Sequence, residues 1–300
     1  MGEKKPTKNE RREQAREAAK LRQVEDARKA RKRRWVIQFG VAVGILGVAA
    51  IVSGIIWGGH KTEPLAFPEN MPSNGVVLIG SGNGESIEAV SYAALKPGQD
   101  ARLPTTDPEK LNIQIYQDYV CPACRAFEAS NLQKIEQLVA KGQAILEIHP
   151  ISILDRASAG SRYSSRAANA AACVATYSPA AFSAYNTILF DNQPAEGGAG
   201  LTDKVLVSLA KDAKVEKLDD IRNCVNNEFF KDWVAKTSYD IFNSGKPVPG
   251  TVDVIARGTP TVIVNGVQYT GPIDDPQEFA YFLQERVVAM ADAAEVGTSQ

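Results

Sequence analysis

The first feature of this sequence that could do chemistry is a pair of cysteines, Cys121 and Cys124, separated by two residues. Two thiols at this spacing can close a disulfide and reopen it, so the CPAC motif predicts dithiol redox chemistry. An inert disulfide that closes a turn is the alternative. A zinc site would need four ligands, and the two histidines, His60 and His149, are isolated in the sequence, so we expect no metal.

The residues around the motif predict the elements that position it. Residues 111–120 begin with alternating apolar and polar side chains, as a strand does, and run directly into Cys121. Pro122 suits the first position of a helix with Cys121 as its N-cap, and apolar residues at helical spacing continue until Gly142. A second strand-like run at 144–153 completes a strand, helix, strand unit of a parallel sheet.

The N-terminal 34 residues form a basic arm. They carry fourteen lysines and arginines against six acids, a net charge of +8, and since the whole chain has a net charge of -1 the remaining residues have -9. Acidic and glutamine side chains interleave the basic ones without aromatic residues, which argues against nucleic-acid binding. Residues 35–57 then carry no charge and, with a tryptophan at each end, are long enough for a transmembrane helix of roughly 34 Å.

The charge asymmetry predicts the orientation of this span. Four basic residues at 31–34 abut its N-terminal end, so the positive-inside rule places residues 1–34 in the cytoplasm and the residues after 57 outside the membrane. A cleaved signal peptide is the alternative, but the basic and apolar regions are both too long for one and no clear cleavage site follows. We therefore expect a single-pass membrane protein whose arm contacts anionic lipids and whose four cysteines lie in an oxidising compartment.

We expect residues 58–110 to form an extracytoplasmic linker with short N-terminal strands. Glycine and proline punctuate residues 58–75 without helical periodicity, which indicates a tether that lifts the domain off the membrane. A G-x-G-x-G stretch at 80–84 is interpreted as a turn, because no helix follows it as a nucleotide-binding loop would require.

Residues 111–292 predict one α/β domain. An all-helical insertion rich in alanine and serine occupies 157–244, after which the strands resume around an Asn-Gly hairpin turn at 265–266. Pro276 begins a last helix that we expect to end near residue 291, followed by a polar tail at 293–300.

A family resemblance rests on several of these features together. CPAC at a strand-to-helix junction, a helical insertion, a Gly-Thr-Pro-Thr stretch at 258–261 that enters a strand, and the Asn-Gly hairpin resemble the DsbA-like disulfide oxidoreductases of the thioredoxin superfamily. The resemblance covers roughly residues 111–291. With the membrane anchor and the extra cysteine pair it is strongest to the extracytoplasmic members from actinobacteria, and it implies a thioredoxin-like fold with an inserted helical domain.

The resemblance also implies roles for individual residues. Cys121 would be the exposed nucleophile that exchanges with substrate, Cys124 its buried partner, and Pro122 and Ala123 the dipeptide between them. Backbone N–H groups at a helix N-terminus independently favour a thiolate at Cys121. Pro260 would be a cis-proline beside the motif, with the backbone of Thr259 offered to an extended substrate peptide; an ordinary trans proline is the alternative.

The remaining cysteines, Cys173 and Cys224, fall in two predicted helices of the insertion. We expect them to form a structural disulfide, which would close about fifty residues and stabilise the fold by about 4 kcal/mol in the loop-entropy model. Free buried thiols and a second redox relay are the alternatives.

Two departures from better-known relatives bear on the strength of the oxidant. Ala123 stands where strongly oxidising members place a histidine, so one donor to the thiolate is absent. Ile115 stands six residues before the first cysteine, where many thioredoxin-like proteins keep a buried acid. Asp118 is no obvious substitute because it points to the opposite sheet face, and the amide of Gln117 cannot take up a proton as a carboxylate does.

These inferences predict a membrane-anchored enzyme that introduces disulfides into exported proteins, working as a monomer without a bound cofactor because the cysteines carry the electrons. The resemblance implies unfolded, cysteine-containing exported proteins as substrates and a quinone-linked membrane reoxidant of the DsbB or vitamin K epoxide reductase type as partner. Two other hypotheses remain: an extracytoplasmic reductase or isomerase, and a non-catalytic peptide-binding module or chaperone.

Overall fold

A six-stranded mixed sheet forms the centre of the computed structural model, which describes residues 65–298. The strands lie in the order β2-β1-β4-β3-β5-β6, and only β3 and β4 pair in parallel. Their bounds are β1 (Val76–Gly80), β2 (Ile87–Ala89), β3 (Leu111–Gln117), β4 (Ala144–Pro150), β5 (Thr261–Val264) and β6 (Val267–Gln268). The sheet is therefore mixed, although the unit that carries the motif is parallel.

The basic arm at 1–34 and the apolar segment at 35–57 lie outside the described residues. Within residues 65–298, none of the helices has both the length and the apolar character needed to cross a bilayer.

Helix α1 (Pro122–Ala140) begins at the predicted residue. Cys121 is its N-cap, Pro122 occupies the first turn, and the helix packs Phe127, Ile135 and Val139 against the sheet, each with at most 1% of its surface exposed. The chain then turns at Gly142, whose φ of +70° is costly for residues with a side chain, and enters β4. Strand, helix and strand thus fix the motif at the carboxyl end of β3.

Five helices lie between β4 and β5, in the range where the sequence predicts the helical insertion. They are α2 (Tyr163–Tyr177), α3 (Phe182–Asp191), α4 (Asp203–Asp212), α5 (Leu218–Asn226) and α6 (Lys231–Phe242). Helix α2 is buried over most of its length, because its alanines let the neighbouring helices approach closely. A disulfide between Cys173 of α2 and Cys224 of α5, with an S–S distance of 2.02 Å, joins two of these helices.

The segment 65–75 is packed against the domain, so the prediction of a free tether is wrong for this part of 58–75. Met71 has 1% of its surface exposed, and the Asn70 side chain donates to the carbonyl of Ala175, 2.8 Å away. The indole N–H of Trp233 donates to the Asn74 side chain at 2.9 Å. These partners lie a hundred or more residues further along the chain, and local composition therefore gave no sign of them.

The last helix, α7, extends from Pro276 to Thr298 and is longer than predicted. The polar residues that follow predicted an end near residue 291. Ala293, Ala294 and Glu295 are all strong helix formers, however, and they continue the helix into the residues assigned to the tail.

Candidate active site

The loop between β3 and α1 is held by the carboxylate of Asp118, which is fully buried. Its two oxygens accept hydrogen bonds from the backbone N–H groups of Val120, Ile153 and Leu154 at 2.8–3.0 Å, and from the hydroxyl of Ser164 at 2.6 Å. Burial raises the pKa of Asp118, and these hydrogen bonds oppose the rise. Asp118 therefore ties the end of β3 to the segment after β4 and fixes where α1 begins.

The two thiols of the motif have opposite electrostatic environments, and both are free in the structure. A hydrogen bond from the Cys124 thiol, with smaller contributions from Thr259 and from backbone N–H groups of the first helical turn, lowers the pKa of Cys121 to about 6 against the opposing effect of burial. Burial raises the pKa of Cys124 well above that of an ordinary cysteine. Near neutral pH Cys121 is thus mostly thiolate, the nucleophilic form, and Cys124 is a thiol.

The loop before β5 lies directly beside Cys121. The peptide bond between Thr259 and Pro260 is cis, as the resemblance implies, and the carbonyl oxygen of Thr259 is 3.2 Å from the Cys121 sulfur. Both residues are half-buried and retain solvent contact. The structure therefore brings together Cys121, Cys124, Thr259 and Pro260, which are up to 139 residues apart in sequence.

Cys121 is less exposed than the family resemblance implies. It retains 7% of its surface, against 1% for Cys124, so it is the more exposed of the two thiols but is itself buried. Gln193, in the loop after α3, contacts this part of the chain: its side-chain amide donates to the carbonyls of Cys121 at 2.9 Å and Tyr119 at 3.2 Å. Gln193 was missed because nothing in its local sequence indicates a partner 72 residues away.

A buried carboxyl also lies near the motif, on α1 and not on β3. Ile115 is packed in the core, as expected, but Glu128 follows Cys124 by one helical turn and is 7% exposed. It accepts a hydrogen bond from Asn186 at 2.6 Å, and Asn186 in turn accepts from Gln117 and Tyr119. Burial raises the pKa of Glu128 to about 7. The spacing of Glu128 from Cys124 places it on the buried helix face and could have identified it.

The Cys173–Cys224 disulfide is separate from this arrangement. Both cysteines are fully buried inside the helical insertion, with Cα atoms 5.9 Å apart. Among residues 65–298 no group of three metal-ligating side chains comes together. His149 is buried beneath the N-terminal segment, where its ring stacks on Tyr116 and its Nε2 atom is 3.3 Å from the Glu147 carboxyl.

Comparisons with known proteins place this arrangement in a family. Residues 109–285 match the family model described as thioredoxin. A segment of 108 residues is 34% identical to the serine/threonine-protein kinase PknE of Mycobacterium tuberculosis, covering 35% of this chain. That match spans only 19% of the kinase's length.

Solved structures extend the likeness over most of the described chain. The disulfide bond oxidoreductase DsbG of Mycobacterium tuberculosis is 28% identical, with a TM-score of 0.53 over 76% of this chain and 96% of its own. DsbA of the same organism is also 28% identical, with a TM-score of 0.52 over 74% and 98%. BdbD of Bacillus subtilis, 19% identical with a TM-score of 0.51 over 74% and 96%, shares the fold. The chain therefore belongs to the thioredoxin family and is a DsbA-like member of it.

Proposed function

We propose that this protein is a membrane-anchored thiol:disulfide oxidoreductase that introduces disulfides into exported proteins through its CPAC motif. The observation that carries the proposal is the asymmetry of the motif. Cys121, at the N-terminus of α1, has a pKa lowered to about 6, chiefly by a hydrogen bond from the Cys124 thiol, whereas burial raises the pKa of Cys124. One sulfur is thus suited to leave as a thiolate and the other to hold a proton.

The reaction begins with the Cys121–Cys124 disulfide. A substrate thiolate attacks the Cys121 sulfur, the intramolecular S–S bond breaks, and Cys124 leaves and takes up a proton because its buried site disfavours the thiolate. A second substrate thiolate then attacks the substrate sulfur of the mixed disulfide and expels Cys121 as a thiolate. Two substrate thiols have become one disulfide, and the two electrons remain in the reduced CPAC pair.

Stabilisation of the Cys121 thiolate favours this direction. Whatever lowers the free energy of the thiolate makes the reduced form more stable and the disulfide a stronger oxidant. Ala123 offers no side-chain donor, so the oxidising strength rests on the Cys124 thiol, Thr259 and the backbone N–H groups of α1. We expect an oxidant milder than relatives that carry a histidine at this position.

The proposed location rests on the sequence. The uncharged residues 35–57, preceded by the basic residues 31–34, support an anchor with the catalytic domain outside the cytoplasmic membrane. A reduced CPAC pair needs an electron acceptor for the next turnover, and a quinone-linked membrane protein of the DsbB or vitamin K epoxide reductase type would fit that need. Anchoring would keep the two close together.

Trapping substrates tests the proposal. In the Cys124→Ser variant the Cys121 thiolate can still attack a disulfide of an exported protein and release one substrate thiol. The mixed disulfide that forms has no neighbouring Cys124 thiol to cleave it, so exported proteins should accumulate as covalent adducts that a reducing agent releases. The matched Cys121→Ser variant should trap nothing. Adducts in neither variant would contradict catalysis and favour the non-catalytic peptide-binding module.

The reduction potential against glutathione tests the direction of electron flow. A value well above about -200 mV is expected for an oxidase. A value near that of thioredoxin, about -270 mV, would instead indicate the reductase or isomerase.

A further inference from the structure

A groove runs between α1 and α3, on a side of the active-site helix that the reaction described above does not use. One hollow of about 290 Å³ lies between the N-terminal half of α1 and the end of α3. A second, of about 500 Å³, lies between α3 and the β1–β2 hairpin. Glu136 and Thr187 line both hollows, so the two adjoin, and we call the pair the α1–α3 groove.

The groove begins next to the reactive cysteines. Arg125, which lines its first hollow, directly follows Cys124 and donates its backbone N–H to the carbonyl of Cys121 at 3.2 Å. From Arg125 to Glu136 the helix rises about 16 Å, at 1.5 Å per residue. An extended peptide covers that distance with about five residues. A substrate whose cysteine is at Cys121 could therefore place neighbouring residues along the groove.

The walls of the groove suit an extended chain with apolar side chains. Leu132 of α1 and Phe190 of α3 line the first hollow, and Ile188, Leu78 and Ile87 line the second. Several other lining residues are small, which leaves room for a ligand backbone. An unfolded protein exposes apolar segments of this kind, whereas a folded one buries them.

The charges of the groove are predominantly negative. Glu136, Asp191 and Glu88 line it together with the buried Glu128, and Arg125 at the active-site end is the one basic lining residue of the two hollows. Glu136 accepts a hydrogen bond from Ser183, and none of the first three acids forms an ion pair within residues 65–298. Burial is the main reason that the pKa of Glu128 rises to about 7, but the Glu136 and Asp191 carboxylates add to the rise. A positive charge in the groove would relieve this repulsion.

We propose that the α1–α3 groove binds a basic, partly apolar stretch of the unfolded substrate, with a lysine or arginine about five residues from the reacting cysteine. The inference rests on the proposed function and deepens it, because it names a substrate class that the reacting sulfurs themselves do not select. The acids act on binding and not on the sulfur chemistry. The rate of thiol–disulfide exchange with a thiol that has no peptide chain should therefore not depend on these acids.

Model peptides test the proposal on the full-length protein. Three dithiol peptides share one apolar sequence and differ only at two positions, four to six residues from the first cysteine. These positions hold two lysines, two serines or two glutamates. Each peptide is made in two versions, with the two positions before or after the first cysteine. The rate of oxidation by the wild type should follow the order lysine, serine, glutamate, with about a threefold step between neighbours, as partly screened charge pairs produce. A fourth peptide with its lysines adjacent to the cysteine should gain less.

A triple variant, Glu88→Gln, Glu136→Gln and Asp191→Asn, should bring the three rates to within about twofold of one another. The matched control, Glu109→Gln, Asp232→Asn and Glu285→Gln, changes the net charge equally at exposed positions outside the groove and should preserve the order of rates. Oxidation of dithiothreitol, an uncharged dithiol without a peptide chain, should proceed equally in all three proteins.

The outcomes separate the two hypotheses. If dithiothreitol is not oxidised by any of the proteins, the proposed function itself fails. If dithiothreitol is oxidised but the wild type does not distinguish the peptides, or if the control variant loses the discrimination as fully as the groove variant, the groove proposal is overturned.

Discussion

The protein contains two pairs of cysteines whose geometry and surroundings make them opposites. Cys173 and Cys224 are each fully buried, symmetric in environment, and joined by a bond of 2.02 Å between two packed helices. Cys121 and Cys124 differ from each other in exposure and in the direction in which their pKa values are shifted. Exchange requires a thiolate that an attacking sulfur can reach. A pair of cysteine sulfurs therefore stabilises the fold in one place and reacts with substrate in the other.

The largest expected effect comes from removing the reactive sulfur. Replacing Cys121 with serine should slow oxidation of a dithiol peptide by at least about 10³-fold, because the group that the substrate attacks is gone. The double variant Cys173→Ala and Cys224→Ala should oxidise the same peptide within about twofold of the wild-type rate. Stopped-flow fluorescence at a temperature where both variants are folded measures this. A comparable loss in the double variant would assign the buried pair to a redox relay.

The largest loss of folding stability should come from removing the buried pair, Cys173 and Cys224. Cys173 and Cys224 are 51 residues apart, so removing their bond should lower the free energy of unfolding by about 4 kcal/mol in the loop-entropy model. Urea unfolding of the double alanine variant under non-oxidising conditions measures the loss. Wild type that has been unfolded, reduced and refolded is the control, and it should lose a similar amount. An unchanged midpoint in both would refute a structural role for the bond.

Much of this contrast was predictable, because it rests on local signals. Pro122 at a helix start and the residue pair Thr259-Pro260 before a strand are short-range patterns that identified the active-site loops. An even number of cysteines outside the predicted membrane span led to the expected pairing of Cys173 with Cys224. The family comparison confirms the DsbA-like interpretation.

What could not be predicted were the contacts that distant residues make with the active-site loop and with the N-terminal segment. Gln193 reaches the Cys121 carbonyl from a loop of the insertion, and Asn70 docks the N-terminal segment by a bond to Ala175. Such contacts depend on how helices pack in three dimensions, and a polar residue in a loop looks the same whether or not it has a distant partner. Glu128 is different, since its spacing from Cys124 already placed it on the buried face of α1.

The pH dependence of alkylation should sharpen the difference between the two reactive sulfurs. Because the pKa of Cys121 is lowered to about 6, its alkylation rate by iodoacetamide should rise with pH, reach half its plateau near pH 6, and be nearly flat above pH 7. An ordinary cysteine with a pKa of about 8.5 would be roughly thirtyfold less ionised at pH 7. Mass spectrometry of the reduced protein should locate the modification on Cys121 and leave Cys124 unmodified.

Two replacements of Cys124 test the cause of that shift. The Cys124 side chain is the largest contributor to the lowered pKa of Cys121, so Cys124→Ala should move the alkylation midpoint upwards. Cys124→Ser retains a hydroxyl donor and should move it less. If both variants keep a midpoint near pH 6, the helix N-terminus alone would account for the thiolate.

The smallest effect concerns the residue between the cysteines. Ala123 is half-buried in the first turn of α1, where a histidine side chain could donate to the Cys121 thiolate. Ala123→His should lower the pKa of Cys121 by about one unit, which is a tenfold change in the ionisation equilibrium. It should also raise the reduction potential by roughly 30 mV, since 1.4 kcal/mol corresponds to that difference for two electrons.

Ala123→Ser is the matched control for this substitution, because it adds a polar group without a positive charge and should shift the potential much less. Equilibration with glutathione buffers, followed by the fluorescence difference between the oxidised and reduced forms, measures both variants. An unchanged potential in Ala123→His would mean that the Cys124 thiol, Thr259 and the backbone of α1 already stabilise the thiolate as far as this site allows. The reactivity of Cys121 and Cys124, compared with the buried pair, would then result from their position in the fold and not from the residues between them.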